Sequence, residues 1–356
     1  MKLTPRPRPS IAAMHGYTPG EQPAAGVKVI KLNTNENPYP PSPRVMDVIH
    51  RFDAEALRRY PNPTADGFRD AAAKLHGLDR DHIIAGNGSD DILSIVLRTY
   101  VGPGELIAWP DPTYSLYPVL AEIAESKTAT VPWEPGWRLP ADALVATGAR
   151  AIFFANPNAP SGTVVPAAEV RALAKNFAGL ILVDEAYADF AGSDCVSLLA
   201  DCPNLVISRT LSKGYALCGI RLGYALAAPE VIAELMKVKD SYNCNALAIA
   251  AGQAAIEDRA YAQKIWDLVR AERMRVTTSL EGRGWTVIPS QANFIFATVP
   301  AGSNASEIYR ALKQRGILVR FFDKPGQTDK LRLSIGRPDE NDALLAALVE
   351  ISGRSA

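Results

Sequence analysis

Cysteine and histidine are scarce, with four of each in a chain of 356 residues. Cys195, Cys202, Cys218 and Cys244 show no C-x-x-C spacing, and His15, His50, His76 and His82 show no H-x-H or H-E-x-x-H spacing. A disulfide scaffold and a dedicated metal site are therefore not expected, and the thiols are read as reduced. Net charge is also missing: 38 basic residues face 38 acidic ones, and the only basic cluster is the proline-broken Arg6-Pro7-Arg8-Pro9. Nothing points to nucleic acid or an anionic membrane as a partner. No apolar run is long enough to span a bilayer, and the N-terminus lacks the apolar core of a signal peptide, so cytoplasmic residence is the expectation. No internal repeat or low-complexity segment is evident.

What is present is ordinary for an enzyme with a sizeable core: 47% hydrophobic and 21% charged residues. Short apolar runs at Ile83–Ala85, Glu105–Trp109, Ala151–Ala155, Leu180–Val183, Leu205–Ile207 and Tyr224–Ala227 read as strands. Between several of them lie helical patterns, at Ser89–Tyr100, Ser115–Glu125, from about Pro166, and Pro229–Lys239. Helical spacing also covers Pro43–Leu57, and an uninterrupted stretch runs from Arg259 to Glu281. The last part alternates strands (Trp285–Ile288, Asn293–Ala297, Ile317–Arg320, Leu331–Ile335) with helices at about Ser303–Arg315 and after Pro338. This predicts a large α/β domain, 46–270, with a mainly parallel sheet, and a smaller α+β domain from 271–356 together with the arm 1–45, which carries an apolar piece at Val27–Leu32.

Chemistry concentrates at strand ends. After Ile83–Ala85 comes G-N-G-S-D-D, a glycine turn into a helix. It is a poor dinucleotide fingerprint, because Asp91 stands where the third glycine would be, but Ser89 and Asp90 suit a bare phosphate at a helix N-terminus. After Leu205–Ile207 comes S-R-T-L-S-K-G-Y-A-L-C-G-I-R-L-G, residues 208–223. Its hydroxyls at Ser208, Thr210 and Ser212, its glycines, and Arg221 eight residues past Lys213 fit an amine held beside an anion, which suits a lysine that attacks a carbonyl.

This segment resembles the cofactor-lysine segment of pyridoxal phosphate (PLP) aminotransferases of the aspartate aminotransferase fold, and three more segments follow the same order. The resemblance implies that Lys213 holds PLP as an imine and Arg221 grips its phosphate with Ser89, Asp90, Thr210 and Ser212. It implies that Tyr114, in P-D-P-T-Y-S, lies flat on the pyridine ring. In D-E-A-Y, Asp184 would meet the protonated ring nitrogen, and the Tyr187 hydroxyl the phenolic oxygen. The family's N-P-x-N-P-[ST]-G is here N-P-N-A-P-S-G, with Ala159 in the place of the cofactor-binding asparagine; Asn158 is the candidate substitute and Asn156 the reserve. Tyr17 of Y-T-P-G and Asn35 of N-T-N-E-N-P would line the substrate entrance, although turn chemistry explains the asparagines equally well. Arg332 would clamp the substrate's anionic end, with Arg320 as helper for a phosphate. Tyr60, in R-R-Y-P-N-P, would cross to the partner's cofactor in a homodimer with shared sites.

The activity implied is transamination, with an amino donor, most of all L-histidinol phosphate, and 2-oxoglutarate as acceptor. Aromatic amino acids as donors, or decarboxylation of threonine phosphate, would use the same cofactor residues. A nicotinamide-dependent dehydrogenase would leave Lys213, Asp184 and Arg221 without a role.

Overall fold

Short apolar runs bounded by glycine, proline or asparagine cannot make helices of useful length, and in the computed structural model they are strands. The structure describes residues 4–23 and 26–352. In chain order the strands are β1 (Ile30–Lys31), β2 (Ile83–Gly86), β3 (Leu106–Asp111), β4 (Lys127–Pro132), β5 (Ala151–Ala155), β6 (Leu180–Asp184), β7 (Leu205–Thr210), β8 (Gly223–Ala227), β9 (Thr286–Ile288), β10 (Phe294–Thr298), β11 (Ile317–Leu318), β12 (Arg320–Phe321) and β13 (Lys330–Ser334).

Seven of these form the central sheet, in the order β2-β8-β7-β6-β5-β3-β4. β3 to β7 pair in parallel, and β8 lies antiparallel to both of its neighbours. The expected α/β class and mainly parallel sheet are therefore found. β5, β6 and β7 are buried on both faces, which is why they read as unbroken apolar runs. Successive residues serve opposite layers: Phe153, Leu182 and Val206 pack with Ile92, Tyr117 and Ile232, whereas Phe154, Val183 and Ile207 pack with Phe68, Leu173 and Ala251.

The second sheet is antiparallel, in the order β12-β13-β10-β9. The 23-residue helix Arg259–Glu281 leads to it from the central sheet. β1 pairs in parallel with β11, so the N-terminal arm joins the C-terminal part of the chain.

Several boundaries differ from expectation for identifiable reasons. The Pro43–Leu57 pattern is two helices, Pro43–His50 and Ala54–Leu57, because the Asp53 side chain accepts from the Ala56 N–H at 2.8 Å and caps a new start. The run 317–320 divides between two sheets, β11 pairing with β1 and β12 with β13. Helix Asp66–His76 and strand β4 went unread. The helix shows the core mainly small side chains, Ala72 and Ala73 beside Phe68. β4 is a mostly exposed edge strand of lysine, threonine and alanine. Among the described residues, no helix is long and apolar enough to cross a membrane.

Candidate active site

In a parallel sheet the loops after the strands gather at one edge, the usual place for a ligand. Here the ends of β3, β5, β6 and β7 (Asp111, Ala155, Asp184 and Thr210) border a cavity of about 470 Å³. Tyr17, Asn35, Ser89, Asp90, Tyr114, Tyr187, Ser212, Lys213, Arg221, Arg320 and Arg332 line the same cavity. Residues spread over more than 300 positions of sequence are thus brought to one place.

At one end the helix Ser89–Tyr100 begins after Gly88, whose φ of +88° turns the chain toward the cavity. The approach is close: a Cβ on Gly223 would come within 2.5 Å of the Ser89 nitrogen, and one on Gly88 within 2.5 Å of Arg221 Nη2. Arg221 Nη1 donates to Ser212 Oγ at 3.2 Å, and Nη2 stands 3.6 Å from Asp90. A helix N-terminus, a hydroxyl and a guanidinium converge there, a set that suits a phosphate.

Deeper in the cavity, Asp184 is almost fully buried. Ser208 Oγ donates to its Oδ1 at 2.9 Å and Tyr117 Oη to its Oδ2 at 3.2 Å. Burial nevertheless pushes the carboxyl up from 3.8 to about 6, Asp90 adding to the rise and these donors opposing it. A carboxylate in this position calls for a cation. Tyr114 donates to Asp90 Oδ1 at 3.2 Å and meets Tyr117 edge to face.

Lys213 lies three residues past the end of β7, as expected, and its Nζ donates to the Thr34 carbonyl at 2.9 Å. Its loop is pinned from both sides. Asn37 Nδ2 donates to the carbonyls of Lys213 and Gly214, at 3.0 and 3.2 Å, and Trp266 Nε1 donates to Gly214 at 2.8 Å. Behind it, Arg209 pairs with Glu185 at 2.7 Å in a buried ion cluster that includes Asp189, and a Cβ on Gly214 would lie 2.1 Å from Asp189 Oδ2.

At the opposite end, Arg332 Nη2 donates to the Asn33 carbonyl at 3.0 Å, and its guanidinium lies 5.2 Å from the Phe294 ring and 5.5 Å from Phe322. Its Nε is buried without a protein partner. Burial lowers the pKa of this arginine, an effect that an anion alongside would offset. Arg320 also stands over Phe322, at 5.5 Å.

Three expectations need revision or qualification. Neither Asn158 nor Asn156 reaches the cavity, whose wall at this point is Ala159. The Asn158 amide N–H₂ is spent on the Pro112 carbonyl and Ser161 Oγ, and Asn156 is tied to Val165 in both directions. Asn35 lines the cavity, with one N–H of its amide donating to Tyr187 Oη at 3.0 Å. Tyr60 is 81% exposed, stacked on Tyr242 with centroids 4.4 Å apart, and does not line its own chain's cavity.

The sequence reading gave no role to Tyr117, Phe294, Phe322, Lys324 or Ser334. Ser334 had a usable signal: it stands two residues from Arg332 on one strand and so shares its face. The others depend on long-range packing that no local pattern announces.

The residues present fit PLP. A phosphate cradle, a buried carboxylate for a ring nitrogen, an aromatic wall and a primary amine all open on one space large enough for cofactor and substrate. One consequence is testable without cofactor. The folded-state pKa of Asp184 lies above its unfolded value, so this group's stability contribution is greatest below 3.8 and falls as pH rises toward about 6. Replacing Asp184 by Asn should remove that fall. In urea unfolding of the cofactor-free proteins, wild type should lose about 2 kcal/mol relative to Asp184→Asn between about pH 4 and pH 6.5. Parallel profiles would show that the carboxyl is not held up by burial.

Comparison with known proteins agrees with this geometry. The family model "Aminotransferase class I and II" matches residues 27–348. A protein named histidinol-phosphate aminotransferase 1 from Nostoc sp. is 44% identical over 97% of this chain and 97% of its own length. Another, named histidinol-phosphate aminotransferase, from Rhodopirellula baltica, is 44% identical over 95% of this chain and 93% of its own. The crystal structure of histidinol-phosphate aminotransferase from Sinorhizobium meliloti, in complex with pyridoxal-5'-phosphate, matches with a TM-score of 0.90 at 27% identity, covering 100% of both chains. With the family model matching residues 27–348 and relatives 44% identical over nearly the whole chain, the chain belongs to the class I and II aminotransferases.

Proposed function

We propose that the protein is a PLP-dependent aminotransferase that takes L-histidinol phosphate as amino donor and 2-oxoglutarate as acceptor, a step of histidine biosynthesis. The observation that carries the reading is the single cavity with Lys213, Asp184 and Arg221 around one region and Arg320 and Arg332 at another. The names of the relatives support the choice of donor. We take 46–270 as the cofactor-binding domain and the two chain ends as the smaller one.

Arg221, Ser212, Thr210 and the helix start at Ser89 and Asp90 would hold the cofactor phosphate, and Tyr114 would cover a ring face. Asp184 would keep the ring nitrogen protonated, and Tyr187 would donate to the phenolic oxygen. When bound, PLP supplies an electron-poor ring that takes up charge as a bond at the substrate Cα breaks. Lys213 first anchors the cofactor through Nζ. Displaced by substrate, the Lys213 Nζ would be the base that takes the substrate Cα proton. Arg332 and Arg320 orient the substrate by its far anion. They must accept a phosphate in one half-reaction and a carboxylate in the other, which guanidinium forks can do.

Lys213→Ala should abolish both transamination and the covalent adduct, while phosphate contacts still retain some PLP. Borohydride reduction followed by peptide mapping checks this, and an adduct at a different lysine would remove Lys213 from the scheme. Arg320→Ala should cut kcat/KM for histidinol phosphate about ten- to a hundredfold, the size of one charge-assisted contact, and leave aromatic amino acids little changed. Equal losses for both donors would instead favour an aromatic aminotransferase.

We further propose a homodimer in which Tyr60, exposed with Tyr242, serves the partner's cofactor phosphate. A Tyr60 variant with impaired activity, refolded together with Lys213→Ala, should regain activity toward one working site per heterodimer. Verified heterodimers without recovery would place Tyr60 outside the partner's site.

A further inference from the structure

Tyr187 lines the cavity beside Ala159, Ala292 and Phe294, an apolar cluster that offers no side-chain hydrogen-bond donor of its own. The hydroxyl is not left to rotate freely. Asn35 Nδ2 donates to Tyr187 Oη at 3.0 Å, and Asn35 Oδ1 accepts from Ser334 Oγ at 2.9 Å. Ser334 Oγ in turn accepts the Asn35 backbone N–H at 2.9 Å. This closes the assignment of protons. Among the described residues Ser334 Oγ bonds only to Asn35, so its own proton has no acceptor but the Asn35 amide oxygen, which turns the amide nitrogen toward Tyr187. Tyr187 Oη is therefore an acceptor toward Asn35, and its proton must point elsewhere. Among the described residues it donates to none.

We infer that Ser334 and Asn35 are positioning residues that fix the direction of the Tyr187 O–H bond, aiming its proton into the cavity at the phenolic oxygen of the bound cofactor. The inference rests on the PLP reading above. Asn35 is suited to the task, being 1% exposed, with its carbonyl held by Asn293 Nδ2 at 2.9 Å. A chain of donors each polarised by the one before makes the last a stronger donor. A hydrogen bond donated to an anionic oxygen favours the deprotonated, more negative state of the neighbouring Lys213-linked nitrogen and lowers its pKa.

The backbone of Asn35 has φ +57°, which glycine adopts without strain, so Asn35→Gly deletes the amide while keeping the chain path. The test is a pH titration of the visible absorbance of the PLP-loaded protein. Asn35→Gly and Ser334→Ala, made separately, should each move the midpoint upward by about half a pH unit, the scale of a weakened hydrogen bond. The shift should vanish when either is made on a Tyr187→Phe background, since there is then no hydroxyl to direct. Unchanged midpoints, or shifts that persist without the hydroxyl, would overturn the relay. If Asn35→Gly fails to fold, Ser334→Ala decides alone. Absence of any Lys213-dependent visible band in the wild-type protein would defeat the PLP reading itself, a separate result.

Discussion

The site depends on how five residues, Asn33 to Asn37, are tied into the rest of the protein. This segment belongs to none of the three sheets, yet both halves of the cavity are fastened to it. The Asn33 carbonyl receives Arg332, the Thr34 carbonyl receives Lys213, the Asn35 amide meets Tyr187 and Ser334, and Asn37 donates to the Lys213 loop. Glu36 closes the set through contacts with Lys31 and Thr34. Backbone carbonyls that would otherwise be buried without donors are satisfied by the cations of the site. One short stretch therefore fixes the spacing between the anion end, at Arg332, and the amine end, at Lys213.

The charges are arranged with the same economy. Asp184 is buried where strand geometry makes it hard to avoid: it ends β6, its register partner on β7 is Ser208, and that serine supplies a hydroxyl at bonding distance. Arg209, the next residue, points to the other side of the sheet and joins Glu185 and Asp189. Strand alternation thus separates two buried electrostatic systems that are adjacent in sequence. One faces the cavity and is left short of a cation; the other is paired internally and braces the lysine loop. An uncompensated buried carboxylate costs stability in the free protein, and that cost becomes binding energy for a cation that fits.

Much of this was legible because it is local. A lysine after an apolar strand, glycines where the backbone must approach a ligand, and a carboxylate at a strand end each leave a mark in a few consecutive residues. Their order along the chain carried the resemblance. The approximate helical ranges read at Ser89–Tyr100 and Arg259–Glu281 match the helices found, because long apolar periodicity and clear breaks at Gly88 and Gly282 define them. Asn158 shows the limit. Its position beside Ala159 made it a natural substitute, but its amide nitrogen donates instead to the Pro112 carbonyl, just after β3, and to Ser161 Oγ. Tyr117 was equally hidden, since nothing in L-Y-P-V-L tells that its hydroxyl meets a carboxylate 67 positions later.

The two arginines at the far end differ in a way that bears on how one pocket takes two anions. Arg332 is held by the Asn33 carbonyl and lies near two aromatic rings, Phe294 and Phe322, so its position is set before any substrate arrives. Arg320 contacts Phe322 alone among these rings and stands at the start of a two-residue strand, opposite Arg332 in register. A preset guanidinium supplies orientation, because its ordering cost was met on folding. A less constrained one supplies tolerance, since it can follow a phosphate or a carboxylate whose oxygens sit at different distances. Placing both on paired strands lets them share one aromatic ring and sets two like charges opposite each other, a repulsion that an anion between them would relieve. On the proposed reading, selectivity between donors would depend on whether Arg320 can reach the anion, and binding of either substrate on Arg332.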